Sequence, residues 1–146
     1  MRIIYAIKLT RAMAMSSLGP GFAHKDKLTK VDEQSFTGKW ESISCIDDGV
    51  QRKRKPATLA FADDMYGIVD GTELTYVGVF KLDATKAPKT IDIDMQITEE
   101  TLLGIYEIKG DTLTICLGSP GDKRPSEFES RAKSGRFLMT LKRLKR

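Results

Sequence analysis

The sequence predicts an all-β protein, an antiparallel up-and-down β-barrel of about eight strands. Three observations carry that expectation. Short segments of alternating apolar and polar residues recur from Phe36 to the C-terminus. Turn signals close them, among them Asp47-Asp48-Gly49, Asp63-Asp64, Asp70-Gly71 and Gly110-Asp111. No helical period of ten or more residues competes with this pattern. Eight is also the number of strands at which an up-and-down barrel closes around side chains or one small ligand.

The first strand is expected over residues 40–46, ended by Asp47-Asp48-Gly49 and followed by a basic loop up to Pro56. The second covers 57–62, with Leu59 and Phe61 on one face. The third covers 65–69, and Asp70-Gly71 is a strong hairpin signal. The fourth covers 75–82, with Tyr76, Gly78, Phe80 and Leu82 sharing a face. Residues 89–96 alternate most cleanly: Ile91, Ile93 and Met95 point one way, and Thr90, Asp92, Asp94 and Gln96 the other. Such a strand has one buried and one wet face. The sixth, over 102–108, is apolar on both faces, and Gly110-Asp111 turns it into the seventh, 112–117. A Gly/Pro loop over 118–125 leads towards the last strand, 136–144. Hairpin-length connections imply meander order.

With 146 residues the chain is one domain long. The expected division is a signal peptide over 1–23, a polar linker over 24–35 and the barrel over 36–146. Arg2, Lys8 and Arg11 precede an apolar stretch, and Gly21-Phe22-Ala23 resembles a cleavage site. Export or a periplasmic location is therefore the expectation, with a cytoplasmic protein as the alternative. No segment approaches the ~20 apolar residues of a membrane-spanning helix, so no transmembrane segment is expected.

The net charge is +4. The excess bases sit in Arg52-Lys53-Arg54-Lys55, Lys123-Arg124 and the C-terminal Lys142 to Arg146. Such runs are commonly solvated, and Arg52, Lys53, Arg54 and Lys55 are retained only as a weak anion site. Nucleic-acid binding is not expected, because the aromatic residues lie on apolar strand faces rather than among the bases. The one histidine, His24, precedes the domain, so no Ser-His or Cys-His pair forms inside it. Cys45 and Cys116 belong to no CxxC pair. Neither a metal nor a cofactor is expected, nor a disulfide between two strands that nothing brings face to face.

Four blocks are more specific. They are Gly38-Lys39-Trp40, the segment GVFKLDATKAPKTID from Gly78, the segment LGIYEIKGDTLTIC from Leu103, and Arg124-Pro125-Ser126-Glu127-Phe128 followed by Leu141-Lys142-Arg143. In that order they resemble an uncharacterised conserved domain expanded in planctomycete bacteria and grouped with lipocalin-like barrels. The resemblance implies a lipocalin-like barrel and no established activity. It also implies that Trp40, following Gly38, packs at the closed end against a base of the last strand, Arg143 or Lys142. Trp40, Arg143 and Gly38 are thus structural candidates.

Tyr76, Phe80, Tyr106 and Ile108 are candidate ligand-binding residues, an apolar surface carrying two phenols. A packed core reads the same way, so hollow and filled barrels both stand. Gly78 and Gly104, at strand centres, mark either bending or space for a ligand. Glu107 is a candidate buried carboxylate, and Glu127 a candidate partner for Arg124. The expected function is a non-enzymatic binding module for a small apolar or amphipathic ligand. The alternatives are a filled barrel acting through its surface as a protein-interaction domain, and a small catalytic barrel using Glu107 or Tyr106.

Overall fold

The structure is a computed structural model that describes residues 26–53, 55–70, 72–96 and 98–145. Among the described residues one helix precedes nine strands. Helix α1 is Lys27–Phe36. The strands are β1 (Gly38–Asp47), β2 (Val50–Gln51), β3 (Thr58–Ala62), β4 (Met65–Asp70), β5 (Glu73–Asp83), β6 (Thr90–Met95), β7 (Glu100–Lys109), β8 (Thr112–Leu117) and β9 (Phe137–Arg143).

From β3 to β9 every strand pairs antiparallel with the next, and β1 pairs with both β3 and β9. β1 and β3 to β9 thus close an eight-stranded up-and-down barrel, as the alternation predicts. Closure leaves the barrel strands with no unpaired edge. β2 is a two-residue arm that pairs only with the end of β1. The expected signal peptide, residues 1–23, lies outside the described residues, as do His24 and Arg54.

Period-two alternation sorts the side chains. Leu59 and Phe61 of β3, Ile91 and Ile93 of β6, and Leu113, Ile115 and Leu117 of β8 are buried in one cluster. β1 breaks the period once. Ser42 pairs with Leu141 and Ser44 with Thr140, so Ile43 is one residue too many for β9. Such a bulge reverses the facing of everything beyond it. It turns Cys45 and Asp47 inward and leaves Ile43 56% exposed.

The segment read as a linker contains a helix. Asp26 caps it, accepting the Thr29 N–H at 2.7 Å and the Thr29 hydroxyl at 2.8 Å. The buried positions of α1 are Thr29, Asp32 and Phe36. Its apolar residues Leu28 and Val31 face solvent instead. A helix that buries polar residues shows no amphipathic stripe, which is why its composition read as a linker.

Helix α1 closes one end of the barrel. Phe36 is fully buried and meets Phe61 and Tyr106 edge-on, both at 5.1 Å, and stacks on Phe80 at 5.6 Å. Around this aromatic centre the polar residues of α1 bond to the wall. Thr29 accepts the N–H of Ala84 at 3.0 Å, and Asp32 accepts the Tyr106 hydroxyl at 2.7 Å and the Lys89 ammonium at 2.9 Å.

Candidate functional site

Trp40 is fully buried beside this plug, and its indole N–H donates to the carbonyl of Phe36 at 2.9 Å. Arg143 lies over the ring, Cζ 4.2 Å from the centroid, and also donates to the carbonyl of Ser35 at 2.9 Å. Asp111 accepts from the same guanidinium at 3.3 Å. A cation over an indole contributes ~0.5–2 kcal/mol. Lys142, the other base considered, is exposed and pairs in register with Glu41, not Trp40. Gly38 enters β1 with φ +129°, a conformation that suits only glycine.

The other half of the barrel is hollow. A cavity of about 820 Å³ opens at the end away from α1. That lies within the ~300–1,000 Å³ range of small-molecule sites. Its wall is mainly apolar, with Leu59, Ile68, Ile93, Met95, Leu102 and Phe137 among its residues. Phe61, Ile115 and Met139 lie where the cavity meets the packed half. Ser42, Cys45 and Tyr76 bring polar atoms to the wall, and Asp47, Arg52, Lys55 and Glu100 line its outer part. The Ser42 hydroxyl is engaged, accepting the N–H of Ala57 at 2.9 Å.

The four candidate ligand residues separate by depth along the barrel. Only Tyr76 lines the cavity. Phe80 and Tyr106 belong to the aromatic plug, and Ile108 packs against the core without reaching the cavity. Burial, with the Asp32 hydrogen bond as second cause, pushes the Tyr106 phenol well above its ordinary range. Tyr66 is the aromatic neighbour of Tyr76, its ring 6.1 Å away, and burial likewise pushes its phenol upward. The Tyr76 hydroxyl is buried beside that of Tyr66.

The space above the strand glycines is taken. A Cβ at Gly78 would lie 2.6 Å from the Tyr66 ring, and one at Gly104 would lie 2.5 Å from Leu117. Both glycines allow wall side chains to lie flat across the strand, and neither leaves room for a ligand.

Of the basic run, Arg52 and Lys55 line the outer cavity, Lys53 is exposed beside them, and Arg54 lies outside the described residues. Arg52 stands 3.7 Å from Asp47. Glu107 is on the outer face, 3.5 Å from Lys109, and is no buried carboxylate. Arg124 pairs with Asp92 at 2.8 Å rather than with Glu127, and donates to the carbonyls of Gly104 at 2.8 Å and Ile91 at 3.3 Å. It thereby pins the long loop, residues 118–136, to the outside of β6 and β7. The cysteines form no disulfide. Cys45 faces the cavity, whereas Cys116 faces outward beneath the loop, 3.5 Å from the carbonyl of Glu129.

Sequence reasoning missed Cys45, Tyr66 and Met139 as parts of the site. Tyr66 and Met139 were legible as inward positions of their strands. Cys45 was not, because its facing depends on the bulge at Ile43. Among the described residues no group of three or more His, Cys, Asp or Glu side chains is placed to hold a metal, and no helix is long and apolar enough to cross a membrane. The chain matches no family model, no curated protein and no solved structure.

Proposed function

We propose that this chain is a non-enzymatic binding module that takes one apolar or amphipathic small molecule into the barrel through the end opposite Trp40. The observation that carries this reading is the half-hollow interior: about 820 Å³ lined mainly by apolar side chains, beside a packed half. An apolar molecule entering it gains about 25 cal/mol for each Å² of apolar surface removed from water. The plug supports the same reading, because Phe36 and the Asp32 contacts fill the end opposite the cavity mouth. Arg52 and Lys55 favour a negatively charged head group at the entrance.

The non-catalytic part of the proposal rests on the placement of the two catalytic candidates. The Tyr106 phenol is committed to Asp32, and Glu107 stands on the outer face. The filled-barrel alternative describes the half around Phe36 and not the half around Tyr76 and Met95. The resemblance to lipocalin-like barrels and the export of the chain are further parts of this reading.

Titration with a fluorescent fatty-acid analogue, followed by displacement with unlabelled palmitate or hexadecanol, tests it. Saturable binding at one probe per chain is expected. A folded protein that binds neither probe nor competitor sinks the proposal.

A further inference from the structure

The lip of the cavity at β1 and β2 has a composition the cavity itself does not require. The bulge pushes Ile43 outward, 56% exposed, and the turn after β1 presents Val50, 52% exposed. Arg52, Lys53 and Lys55 follow immediately, all exposed. Lys53 and Lys55 make no ion pair among the described residues, while Arg52 is shared with Asp47. The lip is held in place. Gln51 donates to the Ser44 hydroxyl at 3.3 Å and to the Cys45 carbonyl at 3.2 Å, and the Arg52 N–H reaches the Cys45 carbonyl at 2.8 Å. Ile43, Arg52 and Lys55 also line the cavity, so the patch and the entrance are continuous.

We propose that this lip docks onto an anionic lipid bilayer, Ile43 and Val50 entering the interface and Arg52, Lys53 and Lys55 meeting the lipid phosphates. The inference rests on the proposed ligand-binding role and names the source of the ligand: the membrane surface itself. Apolar side chains flanked by bases suit an interface of anionic head groups over hydrocarbon. The opposite side of the entrance carries Glu73, Glu99 and Glu100, all exposed, which an anionic surface repels. The barrel therefore approaches with the β1–β2 lip leading. A second exposed apolar pair, Leu28 and Val31 with Lys27 and Lys30, lies on α1 at the closed end. It has no continuity with the cavity, and it serves as the internal control.

The test is sedimentation of the full chain with vesicles of phosphatidylcholine alone or mixed with phosphatidylglycerol. The expected result is partition onto the mixed vesicles only, weakened by added salt. Each base near an anionic surface contributes about a five-fold factor. The variant Val50→Ser/Lys53→Glu removes one apolar side chain and shifts the charge by two units at Lys53, and neither position lines the cavity. Its partition is expected to fall by about twenty-fold or more, while its affinity for the soluble fluorescent probe stays as in the wild type. The control Val31→Ser/Lys30→Glu is expected to sediment as the wild type does. Equal partition onto both vesicle types, no partition at all, or loss of partition in the α1 control instead of the lip variant overturns the proposal. Probe binding in solution is read separately, so failure of the docking surface and failure of the cavity reading are distinct results.

Discussion

The Tyr106 hydroxyl, carried on β7, donates a 2.7 Å hydrogen bond to the Asp32 carboxylate on α1. Lys89 meets the same carboxylate oxygen at 2.9 Å. One buried acid thus fastens the helix to β7 and to the residue that precedes β6, and the residue that reads as a ligand contact is a fastener of the plug. A hydrogen bond to a charged group is worth ~1.5–3 kcal/mol. Tyr106→Phe is expected to lower unfolding stability by about that amount in urea titration and to leave probe affinity nearly unchanged. A large loss of affinity with unchanged stability would place Tyr106 in the binding site instead.

Trp40 combines full burial, the hydrogen bond to Phe36 and the Arg143 guanidinium. Truncating a large buried aromatic costs ~3–5 kcal/mol. Trp40→Ala is expected to lose stability in that range. Arg143→Gln loses the ring contact, worth ~0.5–2 kcal/mol, together with the bond to Ser35. Equilibrium denaturation of both variants checks the order: Trp40→Ala well below Arg143→Gln, and both below wild type.

Helix α1 has a titratable cap. The bonds from the Thr29 N–H and hydroxyl hold the Asp26 carboxyl below the ordinary aspartate range. The unfolded chain, near about 3.9, takes up the proton at higher pH than the folded one. The stabilising contribution is therefore complete above about pH 4 and is lost as pH falls through the depressed folded value. Asparagine at this position still caps but does not titrate. The thermal midpoints of wild type and Asp26→Asn are expected to draw together on acidification from neutral pH to below about pH 3. A gap that stays constant contradicts the assignment.

The two thiols differ in surroundings. Cys116 is fully buried under the long loop, and burial pushes its thiol up, away from the reactive thiolate. Cys45 faces the cavity. Alkylation of the folded protein with a small maleimide, located by peptide mass analysis, is expected at Cys45 and not at Cys116. Palmitate is expected to slow it.

The strands were legible because barrel walls enforce period two, and because Asp-Gly and Gly-Asp turns stop each run. Helix α1 was not. Its inward residues Thr29 and Asp32 are polar because they meet wall groups at Ala84, Tyr106 and Lys89, long-range partners that no local pattern encodes. The candidate site was half legible for a related reason. Alternation places Tyr76, Phe80 and Tyr106 on the inner face but is silent on depth. Depth is decided by Phe36, which arrives from the helix and fills the end that holds Phe80 and Tyr106. The bulge at Ile43 is likewise a property of the pairing with β9, so the facing of Cys45 could not be read from β1 alone.

If the hollow half of the barrel is the binding site, a side chain that fills it must compete with the ligand, and Met95 is the position to fill. It is half-buried on the cavity wall, away from the plug. Met95→Trp puts a larger side chain into empty volume, where it strains little and occupies what a ligand would. Fluorescent fatty-acid titration of wild type and Met95→Trp, alongside their thermal midpoints, is the measurement. One saturable site is expected in the wild type, at least about tenfold weaker in the variant, a cost of about 1.4 kcal/mol or more in binding, with the midpoint changed little. Equal affinity in the two folded proteins would place the probe outside the cavity and overturn the binding role of the barrel.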